Sequence, residues 1–432
     1  MVSSSATCTA RQGTFQGWQS CFLENGIVRL VAVPDIGGRI MAYDLGPYPY
    51  LFVDPDLAGK LFTAEENQGD GSLAAWKNYG GDKTWPAPQG WDDDAQWHGP
   101  PDPVLDTGRY ALTELSAEPD AARIRMTSPP DPRTGVQITR AFTIRAGSSR
   151  VQVTLTFTNV SQHPIRWSIW DVVQLNAARQ HPDGGQGHEP SCIVTAPINP
   201  ASAFPRGFNV MFGAEDNPQW RVNRETGLFE AQYGWAIGKV GIDSPGGWIA
   251  FSNPAAGFAF CEQFGYETGA EYPDAGATVE VWTVGAGQVG NLNYAESGIY
   301  LMETEVLSPL RDIAPGASTT FEIGWGACRA SGPVIDVRAG GACFTHLSAQ
   351  SAGDGWLRLD GGFGVFDMGE LSLVWRNGAG NAIERWPLGP VDPLTAVAVS
   401  RVVRPPQGAM TAELRIMTAS GADLELCEPK GI

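Results

Sequence analysis

The sequence predicts an all-β protein, a large antiparallel sandwich followed by a small C-terminal β-sandwich. Composition is the first reason: 53 Gly and 32 Pro accompany 15 Trp, 10 Tyr and 18 Phe in 432 residues, which suits many strands joined by turns. Alternation is the second: Val151, Val153, Leu155 and Phe157 interleave with Gln152, Thr154, Thr156 and Thr158, putting four apolar side chains on one face of a sheet. The third is a change of texture beyond Ser331, where WLRLD, GVFDM, LSLVWRNGAGNAIERWPL and TAELRIMTA read as short, closely spaced strands. The expected division is therefore residues 1–330 and 331–432.

In chain order, the first strong signal is Gly26 to Gly46, where two β-branched runs flank Pro34-Asp35 and Gly37-Gly38 as a hairpin. The segment Asn78 to Trp91, NYGGDKTWPAPQGW, follows. After the alternating strand, Asn159 to Pro164 supplies a turn and Ile165 to Leu175 is expected to return as its partner. Residues 176–235 are rich in turn formers, and long loops on β scaffolds commonly carry binding groups. Strands resume at Gly247 to Phe264, Ala277 to Gly285 and Gly298 to Leu310, and IAPGASTTFEIGWGACRA closes the large unit.

A formal charge of −18, from 29 Lys and Arg against 47 Asp and Glu, disfavours nucleic acid and anionic membrane surfaces as partners. No run reaches the apolar length of a membrane span. The seven cysteines lack a C-x-x-C pair; Cys8 with Cys21, or Cys328 with Cys343, are local disulfide candidates in an oxidising compartment, and single buried thiols are the alternative. The start MVSSSATCTARQGTF has no signal-peptide core, which fits a cytosolic chain or one whose signal has been removed. The Lys-poor, Trp-rich composition beside a small sandwich leans towards the periplasm or exterior.

Several residue groups carry chemistry. In the Asn78–Trp91 segment, indoles suit the apolar face of a pyranose while Asn78, Lys83 and Gln89 suit its hydroxyls; Trp85 and Trp91 supply the indoles. A buried aromatic turn is the plainer reading. In YLMETEV, period-two alternation puts Glu303 and Glu305 on one face, roughly 7 Å apart, where two carboxylates repel and one pKa is expected to rise; a solvated face is the alternative. His181 and His188 share a Gly-rich loop with Glu189, and Asp92, Asp93 and Asp94 form an acidic triplet, but neither has specific metal-ligand spacing. Phosphate loops and the G-x-S-x-G elbow are absent, so no metal or cofactor is expected.

The order of the motifs NGIVRLVAVPDIGGRIMAYDLG, GG…WPAPQGW, TLTFTNVSQHPIRWSIWDVVQLN, YLMETEVLSPLRDIAPGAS and FEIGW resembles the galactose mutarotase-like superfamily, which includes the aldose 1-epimerases. The resemblance covers about residues 20 to 328. It implies a β-supersandwich with a sugar cleft on one concave sheet, a late-strand Glu as base and a middle-strand His as acid. Glu303 matches that Glu best, with Glu305 second. Where the epimerases place the His, this chain offers Asp171, Gln174 and Asn176, leaving Lys83, His98 or His181 to supply the proton. The expected ligand is a mono- or oligosaccharide held by Asn78, Trp85, Gln89, Trp91, Gln174, His181 and Glu305, with Glu303, Lys83, His98 and Asp171 as catalytic candidates. Three activities follow: 1-epimerisation; glycosidic cleavage, either hydrolysis with Asp82, Asp92, Asp171 or Glu305 as second carboxyl or polysaccharide lyase chemistry on a uronate neutralised by a Lys, Arg or His; and sugar binding without turnover.

Overall fold

A computed structural model describes residues 7–68, 75–89, 102–288 and 297–432. The architecture is all-β and antiparallel, as the sequence predicts, with two large sheets face to face. The centre of the first sheet runs Arg39–Leu45, Asp82–Ala87, Ile165–Asn176, Leu301–Leu307, Val279–Thr283 and Gly238–Ile242. The second places Phe258–Phe264, Ser318–Arg329, Val151–Asn159 and Val136–Arg145 side by side. Their facing sides bury one continuous core that includes Tyr43, Phe142, Leu155, Val173, Phe260, Met302 and Trp325.

The Gly26–Gly46 hairpin forms as Val28–Val33 paired with Arg39–Leu45. Its turn needs glycine: at Gly37 φ is +77°, and a Cβ would sit 2.0 Å from the carbonyl oxygen of Asp106. That contact seats the short helix Pro103–Thr107 on the hairpin. Asp102 caps the helix by accepting from the N–H groups of Val104 and Leu105, with Pro103 at its first position.

One expected pairing is wrong. Ile165–Asn176 does not return beside Val151–Asn159; the chain crosses to the other sheet, where it lies between Asp82–Ala87 and Leu301–Leu307. Asn159 secures the crossing, its side-chain N–H groups donating to the carbonyls of His163 and Ile313 at 2.8 Å. Burial separates the two strands. Val151–Asn159 has one inner face, whereas Ile165–Asn176 is buried on both faces from Ser168 to Leu175 and loses the alternation that marks an outer strand.

After Arg329 the next strand begins at Asp336, and the remaining strands form two small sheets around Leu359, Phe363, Leu373, Trp375 and Leu414. Phe366 joins this part to the large sandwich by packing with Trp248, Cys261 and Cys328. All seven cysteines are free and buried, so neither local disulfide forms. No helix among the described residues is long and apolar enough to cross a membrane.

Candidate functional site

The site is built on Asp82–Ala87, which the sequence marks as a rigid segment and the fold makes a central strand. Gly80 and Gly81 admit it: at φ +94° and +74°, their Cβ atoms would lie 2.3 Å from Phe52 O and 2.4 Å from Ile40 O. The strand pairs with Ile165–Asn176 along its length but meets Arg39–Leu45 only at Ile40 and Asp82. Among the described residues Pro86 therefore sits where the far side of the strand carries no ladder, which is where a missing N–H is tolerated.

Period two sends Lys83 and Trp85 to one face and Asp82 and Thr84 to the other. On the first face Lys83 lies opposite Val172, and Val172 opposite Glu305; Trp85 lies opposite Trp170; Gln174 lies opposite Glu303, and Glu303 opposite Trp282. Lys83 Nζ donates to Glu303 Oε1 at 3.1 Å, and Gln174 Nε2 donates to the same oxygen. Among the described residues Glu303 Oε2 has no hydrogen bond. The Glu303 side chain is 12% exposed against 2% for Lys83, so the carboxylate is the more accessible member of the pair. Burial pushes the Lys83 pKa down, Glu303 draws it back up, and Arg39 adds to the lowering.

Indoles surround this pair. Lys83 Nζ lies 4.8 Å from the Trp85 ring centre and 5.7 Å from that of Trp76. Trp85 meets Trp76 at 5.7 Å and Trp170 at 5.4 Å, edge to face in both cases. Asp106 fixes two of them. Its fully buried carboxylate accepts from Trp76 Nε1 at 2.8 Å, Trp85 Nε1 at 3.2 Å and Asn67 Nδ2 at 3.1 Å, and pairs with buried Arg39. Asp106 and the helix that carries it went unrecognised in sequence.

A second charged group shares the face. Lys239 Nζ lies 2.6 Å from Glu280 Oε2 and 2.9 Å from Glu305 Oε2, and 4.2 Å from the Trp170 ring centre. Trp170 Nε1 also donates to Glu305 Oε2 at 2.8 Å. Burial pushes Glu305 up to about 8 against the pull of Lys239, and Glu280 up to about 7 for the same reason. Lys239 and Glu280 went unnoticed in sequence, although a lone charge inside GKVGI or VEVW was the available signal.

Other expected residues lie elsewhere. Asp171 is corrected: it points into the core between the sheets, accepts from Thr84 Oγ1 at 2.9 Å and lies 3.8 Å from Arg140. Asp82, considered as a second carboxyl, points the same way and pairs with Arg140. Burial raises the pKa of Asp171 well above the usual carboxylate range, as it does for Glu262. Asn78 caps its own turn by accepting from Gly80 N at 3.3 Å. Gln89 is buried just past the strand end. His181 lies in the hairpin joining Ala178–Gln180 to Gln186–His188 and makes none of the hydrogen bonds to Glu303. Trp91, His98 and the Asp92–Asp94 triplet lie outside the described residues. No group of His, Cys, Asp and Glu among the described residues is placed to hold a metal ion.

The chain resembles galactose mutarotase-like proteins of known structure. One, from Clostridium acetobutylicum, is 10% identical, with 75% of this chain and 99% of that one covered at a TM-score of 0.46. Another, from Lactobacillus casei, is 12% identical, with 71% and 99% covered at 0.40. A TPR-domain containing protein from Parabacteroides distasonis is 10% identical over 76% of this chain at 0.45; the match spans about half, 54%, of that protein's length. A family model described as a domain of unknown function, DUF4380, matches residues 19–181, a span that includes Lys83 and Gln174 and ends before Lys239 and Glu303. No curated protein matches the chain.

Proposed function

We propose that this chain binds a sugar against its indole-lined face and uses Glu303 as the base at the anomeric centre, most simply for 1-epimerisation. The supporting observation is the asymmetry of the Glu303 carboxylate. Lys83 and Gln174 both donate to Oε1, which fixes the group and leaves Oε2 to receive a proton from a hydroxyl. Trp76, partly exposed, is the indole open to the C–H face of a pyranose, and buried Trp85 and Trp170 pack behind it and the Lys83–Glu303 pair.

In this mechanism Glu303 Oε2 removes the proton of the anomeric hydroxyl. The bond between C1 and the ring oxygen breaks, its electron pair stays on the ring oxygen, and that oxygen takes a proton from Lys83. C1 becomes an aldehyde, rotation about C1–C2 exposes its other face, and the reverse transfers close the ring and restore both side chains. Lys83 takes the role of the missing histidine because it already contacts Glu303 and burial makes it a better donor than a free lysine.

The test is the anomeric proton spectrum of candidate sugars with wild-type protein and with Glu303→Gln. Interconversion accelerated by the wild type and slowed about a hundredfold or more in the variant supports the base. Glycosidic cleavage is the alternative; Glu305, roughly 7 Å along the same strand face, is fully buried and held by Lys239 and Trp170, which disfavours it as the acid. New reducing ends in the same spectra select it. Binding without conversion selects a sugar-binding protein.

A further inference from the structure

Glu280 and Glu305 face each other directly across neighbouring strands, 1% and 0% exposed. Like charges in such a position repel. Lys239 meets one oxygen of each, while among the described residues Glu280 Oε1 and Glu305 Oε1 are buried without a hydrogen-bond partner, so full charges on both would face a single ammonium, and a proton held between the two carboxyls removes that excess. Among the described residues Lys239 is the one cation within ion-pair distance of both, and Trp170 donates to Glu305 from the next strand. One ammonium and two carboxyls sharing one proton make a neutral group; release of the proton leaves one negative charge.

The groups around Glu305 define what that charge acts on. Glu303 lies two residues along its own strand, Glu280 opposite, and Lys239 one strand further. Asp274 acts on both Lys239 and Glu280 from the end of the sheet. Glu262 approaches from the facing sheet. Of these carboxylates Glu303 is the one on the same strand face with an exposed side chain.

We propose that Lys239, Glu280 and Glu305 form a proton-holding triad that sets the charge beside Glu303, so that the base works next to a neutral group when the triad is loaded and next to an anion when it is not. The three are positioning residues acting through Glu303, and their effect on turnover rests on the reading of Glu303 as the base. The proton-holding itself does not.

The test follows the carboxyl carbon resonances of protein labelled with 13C at glutamate, from pH 5 to 9, in the wild type and in Glu280→Gln. The expected wild-type result is a glutamate titrating at about 7 to 8, with the Glu303 resonance moving in the same window. In Glu280→Gln, Glu305 is left alone with Lys239, and its midpoint falls by about one pH unit or more. The proposal is overturned if the resonances assigned to Glu280 and Glu305, as distinct from buried Glu262, both titrate below about 6, if Glu303 does not respond, or if the midpoint is unmoved in the variant. If Glu280→Gln does not fold, the wild-type titration decides. Where a sugar is turned over, kcat/KM shows an inflection in that window that Glu280→Gln removes. A titrating triad without turnover would retain the proton-holding group and reject Glu303 as a base.

Discussion

Lys83 and Glu303 are 220 residues apart in sequence and 3.1 Å apart in the fold. The contact depends on three strands in register: Lys83 opposite Val172, Gln174 opposite Glu303, and Ile165–Asn176 between them. Gly80 and Gly81 set where the first strand enters, so the site geometry and the glycine pair belong together.

Breaking that pair from one side leaves a largely buried charge without its partner. Lys83→Met is expected to lower stability by about 3 kcal/mol, and Lys83→Met with Glu303→Gln by less than the sum of the two single changes. Urea unfolding of the four proteins measures the difference. Additive losses would mean that the two side chains do not interact in solution.

Asp106 and Asp171 make a matched comparison, since both are buried carboxyls near the same strands. Asp106→Asn removes the charge that faces Arg39 and loosens Trp76 and Trp85, so near-ultraviolet circular dichroism is expected to change and sugar affinity to fall about tenfold or more. Asp171→Asn alters only the core side, and sugar affinity is expected to stay within about twofold. Equal losses in the two variants would contradict the division of the faces.

Stability should fall as pH rises from 6.5 to 8. The folded-state pKa values of Glu280 and Glu305 lie at about 7 and about 8, above the ordinary 4.5, so the folded chain keeps protons that the unfolded chain releases above 4.5. Each such proton costs on the order of 1 kcal/mol per pH unit, and the decline flattens once Glu305 ionises in the folded state near 8. His188, whose pKa burial lowers, acts in the opposite sense, its contribution being lost on acidification through the ordinary histidine range. Urea unfolding at the two pH values checks the slope, and Glu280→Gln is expected to flatten it.

How much of this was legible in the sequence depends on the strand. Glu303 and Glu305 share a face as their spacing dictates, and burial of that face removes the solvated alternative. Lys83 and Trp85 are visible as residue types, but proline and glycine around them read as a rigid segment or an aromatic turn rather than a strand, because the one-sided pairing that tolerates Pro86 is a tertiary property. Asp171 was misplaced because Ile169, Trp170, Val172 and Val173 are apolar on both faces, so nothing local says which way Asp171 points. Asp106, Lys239 and Glu280 reach the site from distant segments, and each is a single charge whose partner only the fold supplies.

The most direct measurement is the rate of anomer exchange in a panel of reducing sugars, followed by proton NMR with wild-type protein and with Glu303→Gln. At least one sugar is expected to equilibrate faster with the wild type, with Glu303→Gln abolishing the acceleration while the sugar still binds. Acceleration that survives in Glu303→Gln would contradict the assignment of Glu303 as the base.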